Sequence, residues 1–419
     1  MIKVNNDKNS IIDIVLLLLF LIIYEFSATI YSLPNNDLLR WIVCLVLVII
    51  DIIFALNNNG GKFQLLPKEF SYLIFPLFIQ SFWNLNQTGI ALSRSISFLL
   101  YSMAIYSLFH RPYMTPNRIK KLFDIYFGIS IFVILPLNII SINRMSIAGD
   151  YLGIYNNRNM TTSVMLSIFI MLGIILKRGS NKKILEKVVI VALTVISIYL
   201  NFITHSRMAI IGITVASFML LYYSVSKKNG IRVIFIGLLA IVFIYALPFL
   251  GEKFRITSVT RILSAQVSNG STGLFRNDIW STFVDLVGQK PLLGWGNNSV
   301  YYNTFVNPQG VKWGVHNSYY VMLIEGGIVG TLFYGMFFAS SFRNCLKDYK
   351  ECIQRGMDKD SILLIRYCLV TCISLAINAF AESFLFSAGN VLSLPFWFSL
   401  IGSRVFLKRK RIELEKDAT

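Results

Sequence analysis

The chain has 419 residues, of which 55% are hydrophobic and 14% charged, with a formal net charge of +18 and a mean hydropathy of +0.63. A soluble domain carries about 25% charged residues, so this composition excludes a soluble globular protein. It also excludes the nucleic-acid partner that +18 would imply in one; topology signals and anionic membrane lipid account for the excess of Lys and Arg.

Apolar runs of the length needed to cross a hydrocarbon core recur along the whole chain. In order they cover 11–30, 41–56, 70–83, 90–109, 122–141, 160–176, 188–204, 208–225, 232–248, 317–339, 362–379 and 388–405. The run at 70–83 is short for a spanning helix. The first run lacks a small-residue cleavage site and reads as a retained span. The expected fold class is therefore all-α. It is a polytopic transmembrane helical bundle of about twelve spans, forming one integral membrane domain over 1–419, with one long, partly helical extracytoplasmic loop at 249–316.

Orientation follows from the basic residues in short loops. Lys62 and Lys68, the group from Arg111 to Lys121, the group from Lys177 to Lys187, and Lys227 and Lys228 fall on one side. Arg343 to Lys359 and the C-terminal run from Arg404 join them. Both termini are then cytoplasmic and 249–316 lies outside. The five cysteines, at 44, 345, 352, 368 and 372, avoid the outside loops, so no disulfide framework is implied. Cys368 and Cys372 share a helix face within a span and read as packing residues.

The loop at 249–316 is far longer than a connection needs, and its aromatic content argues against disorder. A helix is expected from Ser271-Thr272 to Gly288, with Phe275, Ile279, Phe283 and Leu286 as its apolar stripe. Such a helix would lie along the membrane surface, with Arg276 and Trp280 one turn apart on its flank. Pro291-Leu292-Leu293-Gly294-Trp295-Gly296 then makes a tight turn that needs glycine. The loop ends at His316-Asn317-Ser318-Tyr319, where the next span begins. That span carries Glu325-Gly326-Gly327-Ile328-Val329-Gly330. An intramembrane carboxylate is a functional candidate by default; Glu325 is equally readable as the partner of a nearby cation such as Arg207. Two other outside segments stand out. Residues 153–159 offer amides and a cation to a sugar, or form a plain turn. His205-Ser206-Arg207 holds Arg207 at the membrane boundary, where it binds an anion or snorkels to headgroups.

These residue types permit one chemistry in combination. Arg207, Arg255, Arg261 and Arg276, if convergent, would bind a lipid pyrophosphate through charge-assisted bonds and stabilise its charge as it leaves. His316 titrates near neutrality and could take the proton of an attacking hydroxyl. No metal site is evident in three scattered histidines. Asp358-Lys359-Asp360 falls in a cytoplasmic loop and reads as a solvated turn. No phosphate-binding glycine motif is present, so the energy must reside in the substrate and no cofactor is called for.

Five places in the chain resemble the O-antigen polymerase and O-antigen ligase family of bacterial polytopic membrane glycosyltransferases. They are 153–159, Ser206-Arg207, Arg276 to Trp280, Pro291 to Gly296, and His316 through Gly330. The family's first motif often carries a proline where Arg158 stands here. The resemblance implies an inverting, metal-independent transferase in the bacterial cytoplasmic membrane, with its active site on the outer face. Its donor would be an undecaprenyl diphosphate-linked oligosaccharide. Membrane lipid, and a protein that regulates chain length, are the other partners implied, and nucleic acid is not one. By the same resemblance His316, Arg276 and Arg207 would be catalytic, while Arg261, Arg255, Asn159, Trp280, Asn317 and Glu325 would contact substrate. Polymerase is the preferred reading, because such polymerases are numerous and diverse in sequence; ligase is the alternative. A flippase for the same lipid-linked sugars is the reading from another class, but the chain shows no matching halves.

Overall fold

A computed structural model describes residues 6–32, 35–58, 64–83, 88–111, 113–146, 150–178, 183–204, 206–223, 277–297, 299, 317–380, 382–388 and 391–417. The expected span at 232–248, the helix start at Ser271-Thr272, and Arg255, Arg261, Arg276 and His316 lie outside them. Arg207 and Trp280 are described by their backbone alone.

Every named element is helical. In order they are α1 (Asn6–Glu25), α2 (Asn36–Asn58), α3 (Ile74–Leu77), α4 (Thr88–His110), α5 (Pro116–Ile129), α6 (Leu135–Ile140), α7 (Arg158–Arg178), α8 (Ile184–Ile203) and α9 (Arg207–Tyr222). Then follow α10 (Asn277–Gln289), α11 (Ser318–Gln354), α12 (Lys359–Asn378) and α13 (Ser393–Asp417). Seven helical stretches among the described residues are long and apolar enough to cross a membrane. The α5–α6 stretch is one of them, joined through a wide turn at Ser130–Ile134. The expected run at 208–225 contains a shorter apolar helix, Ile211–Tyr222. The run at 70–83 is not one helix: α3 is a single turn between two 3-10 segments, Lys68–Leu73 and Ile79–Trp83. Two helices run on past their expected apolar runs, α11 to Gln354 and α13 to Asp417.

Burial separates central from peripheral helices. Nearly every side chain of α7 from Thr161 to Ile174 is buried, and so are those of α13 from Ser393 to Ser403. By contrast α8 exposes Ile184, Val188, Val191, Val195, Tyr199 and Phe202, the three-and-four spacing of one helix face. An apolar stripe of that kind suits lipid. Because lipid is as apolar as Leu, close packing has to hold the helices together. Trp397 of α13 is fully buried, with ring neighbours Phe98 of α4 at 5.1 Å, Phe337 of α11 at 5.7 Å and Phe70 at 5.9 Å. Its indole N–H donates to the Leu385 carbonyl at 2.5 Å. Gly402 lets α13 approach Phe109 and Phe123; a Cβ there would lie 2.6 Å from the Phe123 ring.

Polar contacts mark two ends of the bundle. At one end Lys120 meets Asp360 at 2.8 Å and Arg178 meets Asp124 at 2.6 Å. Asp358 caps α12 by accepting from the Ser361 amide at 2.9 Å and its hydroxyl at 2.7 Å. The acidic pair expected as a solvated turn is thus a helix cap beside an ion pair. The opposite end gathers residues 25–32, 140–146, 150–158, 203, 204 and 206, the start of α11, and residues 382–388. There Arg144 donates to the carbonyls of Gly153 at 2.9 Å and Tyr155 at 2.7 Å, and the backbone of 154–156 bonds to Ala28 and Ile30, just after α1. Isolated bridges pair Thr29 with Tyr155 and Met145 with Tyr151.

Near that second end, two interrupted backbones repair each other. Gly327 sits inside α11 at φ 59°, ψ −164°, a conformation open essentially to glycine alone, and it breaks the helical ladder. The turn at 291–296 fills the gap. Trp295 and Gly296 donate their amides to the carbonyls of Ile324 and Glu325, at 2.9 and 3.0 Å. In return Ile328 and Val329 donate to Pro291 and Leu292, at 2.8 and 3.0 Å. Gln80, from the 3-10 segment, closes the junction by donating to Leu293 O at 3.1 Å and Gly326 O at 2.9 Å. At Gly294, φ is +66°, and a Cβ would lie 2.5 Å from the Glu325 carbonyl oxygen and the Gly327 nitrogen. Backbone, not a flexible side chain, is what it would strike. Gly294→Ala should therefore destabilise the protein by more than the about 1–2 kcal/mol that left-handed φ alone costs. Gly335→Ala, in α11 with open space around it, should be neutral or stabilising. Thermal unfolding in detergent compares the two; equal midpoints would refute the junction.

Candidate functional site

The junction forms one wall of a cavity of about 520 Å³. Glu325 reaches it from the break in α11, Ser318 from the helix start, Arg40 from α2 and Arg94 from α4. Residues 383–388 of the α12–α13 connection close another side. Two guanidinium groups and a buried carboxylate thus share one space with serines and aromatic rings. Arginines can hold phosphate oxygens, and a carboxylate beside them can orient a sugar hydroxyl or accept its proton.

Asn297 builds the floor. Its side chain donates to Leu77 O at 3.0 Å, to Ser81 Oγ at 3.3 Å and to Ser95 Oγ at 2.6 Å, while its amide donates to Gln80 O at 3.2 Å. The Leu77 carbonyl also accepts from the hydroxyls of Ser81 at 2.5 Å and Ser95 at 2.6 Å, so Asn297 joins an existing polar cluster.

The mouth is tied together by the start of α11. Asn317 caps that helix, accepting from the amides of Tyr319 at 2.9 Å and Tyr320 at 3.1 Å. Its side-chain oxygen is thus engaged with the backbone at the start of α11. Ser318 donates its amide to Ala379 O at 2.8 Å and its hydroxyl to Glu382 O at 2.7 Å. The Glu382 carboxylate accepts from the Asn159 side chain, whose oxygen accepts from Ser206 Oγ at 3.3 Å. One chain of contacts therefore runs from the start of α7, past the residue before Arg207, to the start of α11.

Several sequence-expected residues take structural duties. Arg158 pairs with Asp150 at 2.5 Å. Asn156 accepts from Arg144 at 2.9 Å, and Asn157 accepts from the Asn159 amide at 2.9 Å at the start of α7. The segment 153–159 is a folded support, which leaves few of its amides for a sugar. Tyr155 donates to Glu25 at 3.5 Å, and burial first, then that carboxyl, holds its phenol well above the ordinary value. The helix carrying Trp280 begins at Asn277 and packs Phe283 against Ile324 of α11. Its Lys290 ammonium lies 4.1 Å from the Trp295 ring centre. Trp295 itself donates to Leu286 O at 2.9 Å.

A family model described as O-antigen ligase matches residues 192–335. The match covers about a third of the chain, and over that segment the chain is similar to this family. The matched stretch runs from α8 through the interlocked turn to the first half of α11, so it contains both broken backbones and Glu325. No curated protein matches the chain.

Of the family-like places, the structure brings together 153–159, Ser206, 291–296 and 317–330 around one end. It also adds residues that sequence reasoning did not assign to this site: Arg40, Arg94, Gln80, Asn297 and Ser318. Arg94 carried a signal, since an arginine within a span is a functional candidate by default. Glu382 carried the same signal. Arg40 looked like an ordinary boundary cation. Asn297→Ala should strip Leu77, Ser81 and Ser95 of their shared donor and lower stability by about 1–3 kcal/mol. A detergent melting curve identical to that of the unaltered protein would count against this role.

Proposed function

We propose that this protein is a glycan polymerase of the bacterial cytoplasmic membrane, working at the outer face on undecaprenyl diphosphate-linked oligosaccharide. The observation that carries the proposal is the meeting of Arg40, Arg94 and Glu325 in one cavity beside the start of α11, within reach of the family's matched segment. The end holding this cavity is the one that the distribution of Lys and Arg assigns to the exterior.

In this reading the diphosphate of the donor lies among Arg40 and Arg94, with Arg207, Arg255, Arg261 and Arg276 of the outside segments as further cations. The acceptor hydroxyl of a second lipid-linked unit attacks the anomeric carbon opposite the diphosphate. The carbon–oxygen bond to the diphosphate breaks, and its electron pair leaves on the phosphate oxygen. The arginines neutralise that charge as it forms. The hydroxyl proton passes to His316, the residue before the Asn317 cap. Glu325, Asn159 and Trp280 orient the sugars. No metal takes part, and inversion at the anomeric carbon follows from the single displacement. A protein that regulates chain length fits as a partner.

A ligase is the second reading, favoured by the description of the matching family model. It would use the same donor and the same displacement, with lipid A core or another non-polyprenyl acceptor. The two differ in what a deletion strain accumulates. Loss of a polymerase leaves the final acceptor bearing one repeat unit. Loss of a ligase leaves long chains on the polyprenyl carrier and none on the acceptor.

His316→Ala and Arg276→Ala should each leave the protein in the membrane and reduce product by about 10²-fold or more, the range expected for loss of a proton acceptor or a charge-stabilising donor. Arg94→Ala should do the same. Gel profiles of extracted glycan report chain length, and normal long chains in the His316 variant would defeat the proposed chemistry. Product formation by purified protein in detergent, without a membrane gradient, would exclude pure transport.

A further inference from the structure

The opposite end of the bundle holds a second cavity, of about 600 Å³. It lies between the 3-10 segment at Lys68–Leu73, the end of α4, the C-terminal half of α11 and residues 404–412 of α13. None of it belongs to the site described above.

Its charge is lopsided. Seven Lys and Arg side chains line it against two carboxylates, Glu69 and Asp348. Both carboxylates are buried, and both are already engaged. Arg404 pairs with each of them, 3.4 Å from Glu69, and Arg411 reaches Asp348 at 2.7 Å. Asn344 donates to Glu69 at 2.5 Å. Arg409 donates to the carbonyls of His110 at 3.0 Å and Arg111 at 3.2 Å. Lys68, Arg343 and Lys408 also line the cavity, and none of them has an ion-pair partner among the described residues. Burial first, then Arg404, Arg409, Arg411 and Lys68, hold the Lys408 ammonium below the ordinary lysine value. A bound anion would relieve that crowding.

The remaining wall is apolar and aromatic. Tyr72, Tyr106, Val405 and Ile412 contribute to it. The cavity sits where α13 changes from the buried run ending at Leu407 to the basic run 408–411. That is the depth of a lipid headgroup for a helix crossing a membrane. A basic pocket between helices at that level suits a lipid phosphate.

We propose that this cavity binds the phosphate of an anionic membrane phospholipid, with Lys68, Arg343 and Lys408 as its ligands and the Arg404–Glu69–Asp348 cluster as the rigid frame behind them. The acyl chains would leave along the apolar wall into the bilayer. The site is separate from the proposed transferase cavity and does not depend on that reading.

The test uses the full chain purified in detergent and titrated with phosphatidylglycerol, cardiolipin or phosphatidylcholine, with the melting temperature as readout. Inorganic phosphate is a separate arm. The unaltered protein should be stabilised by the anionic lipids and not by phosphatidylcholine. The combined variant Lys68→Gln, Arg343→Gln, Lys408→Gln should lose affinity by about tenfold or more, since each cation near an anionic surface contributes on the order of 1 kcal/mol. The control variant Lys350→Gln, Lys416→Gln removes exposed cations outside this cavity and should respond like the unaltered protein. Equal stabilisation by phosphatidylcholine, or an unchanged response in the triple variant, overturns the proposal. Stabilisation by inorganic phosphate that equals that of lipid overturns the lipid source. If the triple variant does not fold, mass spectrometry of lipid retained by the unaltered protein decides. Enrichment of anionic phospholipid over the bulk membrane supports the site, and retention in bulk proportion refutes it.

Discussion

A helix that breaks inside a membrane must find new partners for the amides and carbonyls it releases, because lipid supplies none. Here α11 breaks at Gly327, and the turn at 291–296 takes up the released groups. Four backbone hydrogen bonds cross between the two segments, and Gln80 adds two more. Because both segments are broken, neither has a satisfactory structure without the other. That mutual dependence fixes where Glu325 points its side chain and where the turn leaves the helix. The cavity walls follow from it. Asn297, the residue after the turn, reaches across to the interrupted segment at 77–81 and ties a third break into the same knot.

The two cavities sit at opposite ends and use charge differently. At the junction end, Arg40, Arg94 and Glu325 meet among buried serines and rings. Few charges in a partly dry space give strong, directional contacts to a reacting group. At the other end, basic side chains outnumber acidic ones and crowd at the rim of the bundle. That arrangement gives holding power over an anion without the proximity needed for chemistry. Buried Trp397 of α13 packs on Phe98, which lines the first cavity, and on Phe70, the residue after Glu69 of the second.

Much of the fold was legible in the residues because lipid imposes simple rules. The limits of α7, α8 and α12 follow the apolar runs at 160–176, 188–204 and 362–379. The run at 70–83 misled, because apolar content says nothing of whether a backbone stays continuous. Its Leu77 and Gln80 carbonyls accept from Asn297, far along the chain, while the Gln80 side chain donates to Leu293 and Gly326. Among the site residues, Glu325 stood out as an intramembrane carboxylate, and it does line the cavity. Its neighbours Arg40 and Arg94 did not stand out as its companions. Nothing local in α2 or α4 records that they face the same space as α11. Asn317 was expected to contact substrate, and its side-chain oxygen also caps α11, a local duty that the sequence did not announce.

The sequence by itself determined that the chain crosses a membrane repeatedly, which end of each helix carries the positive charge, and that glycines at 294 and 296 mark a tight turn. Those are local consequences of hydration, charge and the missing Cβ. Tertiary structure alone decided that the two glycine-rich segments are halves of one joint, and that arginines from α2 and α4 share a cavity with Glu325. Both depend on contacts between residues hundreds of positions apart, where packing rather than composition chooses the partner.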